Sequence, residues 1–238
     1  MREDASPFFI APHRFDAPDD ELRPVLDRSH ELVPEPGERV LGRLRVPVAG
    51  CLLSLTGARR HWALPVPATV TVTDRRLAYA CTGGELSVVA GRGDRTYARH
   101  RRAVRLPRLV SGQVRWQWPS RLELSADAPA EEGDAELLIV CDALRTIQQP
   151  TLALAGPAGT ITELARLVRR SVAWFRLAHP ELVELAPPER DVLIRRTNAA
   201  PLSGEARVTL PGSLPVEFLS REDYYRTPEP STRGVVGG

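Results

Sequence analysis

The clearest pattern in this chain is an alternation of apolar and polar residues over residues 68–81, interrupted once. Val70 and Val72 face one side and the threonines between them face the other, and the alternation resumes with Leu77 and Tyr79. Successive side chains of a β-strand point to opposite faces of a sheet, so a period of two indicates a strand. The pattern therefore predicts a β-hairpin.

The interruption is a polar turn, Asp74 followed by Arg75 and Arg76. An aspartate side chain can accept the backbone N–H two residues further on and so hold a tight turn. We therefore expect Asp74 to stabilise the turn and both arginines to lie in solvent beside it.

Short alternating runs recur between residues 38 and 141, separated by turn-forming residues such as Gly83-Gly84. This texture favours a mainly β fold, a barrel or sandwich of about seven strands. Trp116 and Trp118 share one strand face with Val114, which predicts a place in the core. The strands are predicted at residues 39–46, 68–73, 76–81, 86–90, 113–118, 121–125 and 136–141, with long loops at 46–67 and 90–112.

After residue 159 the apolar period changes from two to about 3.6, which predicts one long C-terminal helix. Thr160 and Glu163 have the spacing of a capping box at its start. The helix is expected to end near His179-Pro180. Its apolar stripe contains Ile161, Leu164, Val168, Val172 and Phe175, and its other faces carry Arg166, Arg169, Arg170 and Arg176.

Proline-rich, low-complexity segments flank this region and divide the chain into three parts. Residues 1–37 are predicted to be a Pro- and acid-rich flexible arm, and residues 38–178 a single domain. Residues 179–238 are predicted to be a Pro-rich C-terminal tail, with a brief helix at 188–196.

The composition excludes several kinds of chemistry. All 32 basic residues are arginine, and the formal net charge of the 238 residues is +2. Coding in a GC-rich bacterial genome accounts for the replacement of lysine by arginine. Without lysine there is no Walker A lysine, no Schiff base and no kinase-type phosphate anchor. The small net charge also gives no reason to expect a nucleic-acid partner.

The three cysteines, Cys51, Cys81 and Cys141, lie far apart, without the close pairing of zinc or redox motifs. We expect them to be reduced and partly buried. The N-terminus lacks the apolar region of a signal peptide, and no apolar run is long enough to span a bilayer. These features favour a cytoplasmic protein, with the inner face of the membrane as a peripheral location.

Seven short strands followed by one amphipathic helix resemble the pleckstrin-homology-like (PH-like) fold, and within it the GRAM-like and bacterial PH-like domains. Two segments carry the resemblance. Residues 36–44, with Pro36-Gly37-Glu38, are similar to the start of the family's first strand, and residues 71–79 are similar to its Thr-Asn/Asp-Arg-Arg-Leu turn. The resemblance covers residues 36–178. It implies a module that binds membranes, lipid headgroups or peptides, without catalysis and without a cofactor.

The strongest local charge lies in residues 92–108, where seven arginines accompany one acid, Asp94. Guanidinium groups pair bidentately with phosphates and carboxylates, so this segment is a candidate site for an acidic protein segment or an anionic lipid surface. A solvated loop without a ligand is the alternative. By the resemblance, a second cluster at residues 58–62 is also a candidate, with Trp62 as an interfacial anchor or a core residue. The candidate binding residues are Arg99, Arg101, Arg102, Arg105, Arg59 and Arg60.

No catalytic or metal-binding residues are predicted. The five histidines stand apart from one another without metal-ligand spacing, and no Gly-x-Ser-x-Gly or phosphate-loop motif occurs. Two alternatives to a docking module remain open. One is an adaptor that recruits partners through its Pro-rich tails, and the other is a hydrolase whose site is assembled in space.

Overall fold

The computed structural model describes residues 24–54, 57–64, 66–82, 85–86, 104–105, 109–126, 133–143, 149–198, 200–202 and 204–216. For residues 54, 57–59, 61–62, 85–86, 104–105 and 126 it describes the main chain alone. All statements below concern these residues.

Twelve strands and two helices lie in this part of the chain. The first strands are β1 (Val40–Val46), β2 (Val48–Ser54), β3 (Gly57–Ala63), β4 (Ala68–Thr73), β5 (Arg76–Thr82), β6 (Glu85–Leu86) and β7 (Val104–Arg105). They are followed by β8 (Leu109–Arg115), β9 (Pro119–Ala126), β10 (Asp134–Cys141), β11 (Gln149–Pro157), α1 (Ala158–Ala178), α2 (Pro187–Thr197) and β12 (Ala206–Thr209).

The strands form open antiparallel sheets. One sheet has the order β1-β4-β5-β8, a second has the order β12-β9-β10-β11-β2-β3, and β6 pairs with β7 in a separate ribbon. The mainly β prediction is confirmed, but the described strands do not close into a barrel. One buried cluster contains side chains from both larger sheets and from α1.

The predicted hairpin is β4 and β5. Val70, Val72 and Leu77 are fully buried and Tyr79 nearly so. Tyr79 is paired with Gly112 of β8, and a Cβ atom at Gly112 would lie 2.3 Å from the tyrosine oxygen. Gly112 is therefore required by the close approach of this ring.

The prediction of a long loop at residues 46–67 is wrong. This stretch contains the β2–β3 hairpin, which extends the larger sheet beyond β11. Val48 and Leu52 are buried, and so are Ala49 and Cys51 on the opposite face of β2. A strand buried on both faces has an apolar run without alternation, so the period-two criterion does not detect it.

The predicted tryptophan-bearing strand is displaced. β8 ends at Arg115, so Trp116 and Trp118 lie in the turn before β9. Both rings are buried as predicted, and the Trp116 indole N–H donates to the Thr73 carbonyl at 2.9 Å. Of the strand predicted at 86–90, only residue 86 lies in the described part.

The long helix is confirmed, but its predicted cap is wrong. α1 begins at Ala158 after Pro157, so Thr160 lies inside the first turn. Glu163 does not reach back to cap the helix and instead pairs with Arg166 one turn later. The predicted apolar stripe, from Ile161 to Phe175, is buried.

The expected domain boundary at 178 does not hold in the described residues. α2 covers the predicted brief helix and packs on α1, and β12 adds to the edge of the larger sheet beside β9. Leu202, Leu210 and Val216 join the main core. At the other end, Leu32 is buried and bridges to Leu26. Fold-forming residues therefore extend from the end of the predicted arm to Val216.

All three cysteines are free and buried, as predicted. No described helix has the length and apolar character needed to cross a membrane.

Candidate functional site

The sequence-predicted binding residues fall into two groups. Arg99, Arg101 and Arg102 lie outside the described residues, and Arg105 lies in β7, where the main chain alone is described. Arg59 and Arg60 lie in β3, and only the Arg60 side chain is described. Of the six candidates, Arg60 is therefore the one whose side-chain contacts the structure describes.

The arginine-dense segment belongs to the connection between two strands that pair with each other. Thr82 at the end of β5 is paired with Leu109 at the start of β8, so residues 83–108 leave and return at one end of the four-stranded sheet. The short β6–β7 ribbon lies within this connection. Connections of this length in compact domains are uncommon and are often functional.

Arg60 is already engaged within the fold. Its guanidinium donates to the Glu136 carboxylate at 2.7 Å, and the two side chains are 45% and 31% exposed. Arg60 is on β3 and Glu136 on β10, two strands separated by β2 and β11. The ion pair therefore spans the outer face of both intervening strands. The residues there are small, and Ala49, Cys51 and Ala153 form a separate buried cluster.

Cys51 lies against this ion pair. Burial raises the pKa of its thiol, the nearby Glu136 carboxylate raises it further, and Arg60 partly offsets both effects. A buried thiol with a raised pKa is a poor nucleophile at neutral pH. Arg60 thus covers part of a patch of small side chains, a structural role that the sequence did not predict, and its ligand role stays a prediction.

Replacing Arg60 by alanine is expected to raise the reaction rate of Cys51 with a thiol reagent by roughly tenfold, because access to a buried thiol limits the reaction. Glu136→Gln is the matched control, since it removes the ion pair but leaves the Arg60 side chain over the thiol, and a smaller increase is expected. Rates of labelling by a disulfide reagent, assigned by peptide mass spectrometry, measure both. An unchanged rate in Arg60→Ala would contradict the covering role.

The β4–β5 turn is held by a dense group of hydrogen bonds. Thr73, not Asp74, holds the turn: its Oγ1 accepts the backbone N–H groups of Arg75 and Arg76 at 3.1 and 2.9 Å. The same hydroxyl donates to Glu38 at 2.6 Å. Asp74 instead accepts the backbone N–H and the Nε–H of Arg39, so it ties the turn to the residue before β1.

Arg76 is buried, contrary to the prediction that it is solvated. Its Nε and Nη2 donate to the two carboxylate oxygens of Glu38 at 2.9 and 2.7 Å. Its Nη1 donates to Gln113 on β8 at 2.7 Å and lies 3.1 Å from Glu35. The side chains of Arg76 and Glu38 are 3% and 0% exposed. This bidentate arrangement is the strong form of an arginine–carboxylate pair.

Glu35 extends the network toward the surface. One of its oxygens lies 2.8 Å from Arg115 of β8, and the other lies 3.6 Å from Arg75. The backbone N–H of Glu35 donates to Glu38 at 2.6 Å across the turn that contains Gly37. The φ angle of Gly37 is 77°, a conformation that favours glycine.

The pKa of Glu38 reflects this environment. Burial alone would raise it, but the hydrogen bonds from Arg76, Thr73 and the backbone, together with the charge of Arg76, hold the pKa below its ordinary value. The carboxylate is therefore ionised at neutral pH, as the ion pair requires.

The two sequence segments that carry the family resemblance are in contact. Glu38 belongs to the first segment, and Thr73 and Arg76 belong to the second. Their polar groups are directed at one another and are nearly inaccessible to solvent. These motifs therefore fix the start of β1 onto the β4–β5 hairpin.

A second buried arginine lies on α1. The guanidinium of Arg176 donates to four backbone carbonyls: those of Trp116 at 3.0 Å, Pro119 at 2.6 Å, Leu210 at 2.8 Å, and Pro211. Burial lowers its pKa to about 9, which leaves it charged at neutral pH. Arg176 thus ties α1 to the turn before β9 and to the chain after β12.

Two further arginines bind the same C-terminal region. Arg169 of α1 donates to the Ala200 carbonyl, and Arg196 of α2 donates to the Thr209 carbonyl. Arg169 and Arg176 lie on an α1 face that the sequence suggests is solvated. α2 and the chain that follows it cover this face, and the period of α1 alone gives no signal of that.

Trp174 is a surface feature that the sequence reasoning missed. The ring is 56% exposed on α1. Its position between the apolar stripe and the arginines could have identified it, because a tryptophan off the stripe of a covered helix faces solvent. Among residues whose side chains are described, no group of histidine, cysteine and acidic side chains has the arrangement of a metal site.

Comparison of the chain with protein-family models, with curated proteins and with solved structures finds no match.

Proposed function

We propose that this chain is a non-catalytic interaction module that docks at an acidic surface through the β5–β8 connection. The observation that carries the proposal is the placement of the basic segment. Seven arginines of residues 92–108 lie in a connection that begins and ends at the paired residues Thr82 and Leu109. A basic connection whose two ends are fixed by paired strands can bind a partner without requiring a change in the core.

The arrangement of elements supports a PH-like module. Without the inserted β2–β3 hairpin and the short β6–β7 ribbon, four consecutive strands (β1, β4, β5, β8) form one antiparallel sheet. Three more (β9, β10, β11) follow in order in the second sheet, and α1 comes directly after them. Seven strands followed by a helix are similar to the PH-like order. This is analogy at the level of the fold, so the ligand chemistry is argued from the arginines.

The docking residues in this proposal are Arg99, Arg101, Arg102 and Arg105. Arg60 is no longer among them, because its guanidinium is committed to Glu136. Arg59 is its neighbour on β3 and stays a secondary candidate. The four remaining positions give a charge density sufficient for bidentate binding of carboxylates or phosphates.

The test replaces all four docking arginines by glutamine and measures binding to two acidic probes. One probe is vesicles of mixed phosphatidylserine and phosphatidylcholine, and the other is a polyglutamate peptide. A matched control carries the same charge change at four exposed arginines elsewhere, namely Arg28, Arg190, Arg195 and Arg207. Both probes are compared at low and moderate salt, because screening weakens charge-driven binding.

We expect the wild-type chain and the control to bind at low salt, and the docking variant to bind at least about tenfold more weakly. Vesicle binding without peptide binding identifies a lipid partner, and the reverse identifies a protein partner. Equal binding by all three chains would overturn the proposal. Loss of binding on removal of residues 217–238 alone, which leaves every described element intact, would favour the adaptor function instead.

A further inference from the structure

Three guanidinium groups converge on the chain that follows α2. Arg169, Arg196 and Arg176 donate to the carbonyls of Ala200, Thr209 and Leu210 respectively. Two come from α1 and one from α2, and the two helices pack against each other. The three positive charges therefore lie in one junction between the helices and the chain around β12.

No carboxylate of the described residues forms an ion pair with any of the three. Burial lowers the pKa of both Arg169 and Arg196, and positive charge lowers each further, from Arg166 in the first case and from Arg169 in the second. Burial and the charge of Arg196 lower the pKa of Arg176, and Cys141 and the Glu189 carboxylate of α2 partly oppose them. Like charges held together out of water are costly unless a counter-charge is present.

The bonding capacity of the three groups differs. Arg176 uses all three of its guanidinium nitrogens on carbonyls. Arg169 is 6% exposed, and its only described bond is from Nη2, so its Nε–H is buried without an acceptor. Arg196 uses Nη1 alone in the described residues. Arg169 and Arg196 thus keep donors for an additional acceptor.

The covering chain over this junction is thin. Ala200 and Pro201 are exposed, as is Asn198 at the end of α2, although the Ala200 carbonyl caps a buried guanidinium. The bond from Arg169 to Ala200 is separate from the four bonds of Arg176, so an anion could replace the Ala200 carbonyl at Arg169 while the bonds of Arg176 remain.

We propose that the junction of α1, α2 and the Ala200 chain is a binding site for a small phosphate-type oxyanion, held by Arg169 and Arg196. The anion accepts from Arg169 Nε and from the free nitrogens of Arg196, and it neutralises the charges of these two arginines, with which no described carboxylate forms an ion pair. Two planar guanidinium forks suit the oxygens of a phosphate better than a single carboxylate does. The site is separate from the proposed docking connection and does not depend on it.

The test uses the full chain and inorganic phosphate, with chloride at matched ionic strength as the reference. Isothermal calorimetry gives the dissociation constant, and the thermal unfolding midpoint gives an independent readout. Arg169→Gln and Arg196→Gln each remove one of the two guanidinium groups that hold the anion. Arg170→Gln is the matched control, because it changes the same charge on the adjacent, more exposed residue of α1. Glycerol phosphate in place of phosphate distinguishes a monoester from the free ion.

We expect saturable binding of phosphate by the wild-type chain and a midpoint that rises with phosphate but not with chloride. Arg169→Gln and Arg196→Gln should each weaken binding by at least about tenfold, and Arg170→Gln by less than about twofold. Arg196→Gln keeps the test valid if Arg169→Gln fails to fold, since Arg196 is only partly buried. No saturable binding by the wild-type chain, or equal binding by all variants, would overturn the proposal and leave the arginines as a structural clamp.

Discussion

Replacement of Arg76 by methionine is expected to lower the free energy of unfolding by about 3–5 kcal/mol, because removal of one partner leaves the other charge buried and unpaired. The unpaired group is Glu38, whose side chain is fully buried. Thr73 would still donate to one of its oxygens, but both bonds from the guanidinium would be lost. Urea unfolding followed by the fluorescence of the buried tryptophans measures the loss.

The double variant Glu38→Gln with Arg76→Met is the control for this prediction. Removal of both charges relieves the buried carboxylate, so the double variant should recover about 1–2 kcal/mol relative to Arg76→Met alone. A loss of less than about 1 kcal/mol in Arg76→Met would show that the ion pair does not hold the hairpin to the start of β1.

The ion pair of Glu38 and Arg76 also predicts that the free energy of unfolding depends on pH. The pKa of Glu38 is lower in the folded chain than its ordinary value of 4.5, so the unfolded chain binds the proton more readily. The stabilisation is therefore complete above that ordinary value and is lost as the pH falls through the lower, folded pKa. The Glu38→Gln variant should lack this part of the acid sensitivity when unfolding free energies are compared across that range.

Replacement of Arg176 by methionine is expected to lower the free energy of unfolding by about 2–4 kcal/mol. Four backbone carbonyls lose their donor, and each buried acceptor left unsatisfied costs about 1–3 kcal/mol. The removal of a buried charge without a carboxylate partner offsets part of this cost. The acceptors dominate because they join α1 to two separate stretches of chain, at residues 116–119 and 210–211.

Arg176→Lys is the control for the prediction about Arg176→Met. The lysine ammonium group keeps the positive charge, but it is compact and cannot reach all four carbonyls that the planar guanidinium group reaches. We expect Arg176→Lys to have a free energy of unfolding between those of the wild-type chain and Arg176→Met. The backbone amides around Leu210 should exchange their hydrogens faster than in the wild-type chain. If Arg176→Lys instead kept the stability of the wild-type chain, the charge and not the fork geometry would be the property that matters.

The sequence predicts those parts of the fold in which one face of an element is more apolar than the other. The β4–β5 hairpin and α1 each have such a face, so their periods are clear, although the threonine face of β4 is largely buried as well. β2 has no such signal, because Ala49 and Cys51 are covered on the face opposite to Val48. β12 is only four residues long and adds to a sheet edge, and nothing local in residues 206–209 requires that pairing.

The roles of the arginines were less predictable than their positions. Arg76 and Arg176 are buried, whereas Arg75 beside the first and Arg170 on the same helix as the second are half-buried, and the residue type is the same in all four. Burial depends on Glu38 and on the chain at 210–211, which lie 38 and 34 residues away. A charged residue whose partner is distant in the chain has no local signature, so a turn motif can resemble an exposed recognition site.

The most direct test of the account measures binding and unfolding on the same two proteins. The first is the docking variant, with glutamine at 99, 101, 102 and 105, and the second is the hairpin variant Glu38→Gln with Arg76→Met. The account predicts that the docking variant keeps the urea midpoint of the wild-type chain and loses binding to acidic vesicles or peptide. It predicts that the hairpin variant has a lower midpoint and binds normally while folded. A docking variant that binds like the wild-type chain, or a folded hairpin variant that does not bind, would contradict the account.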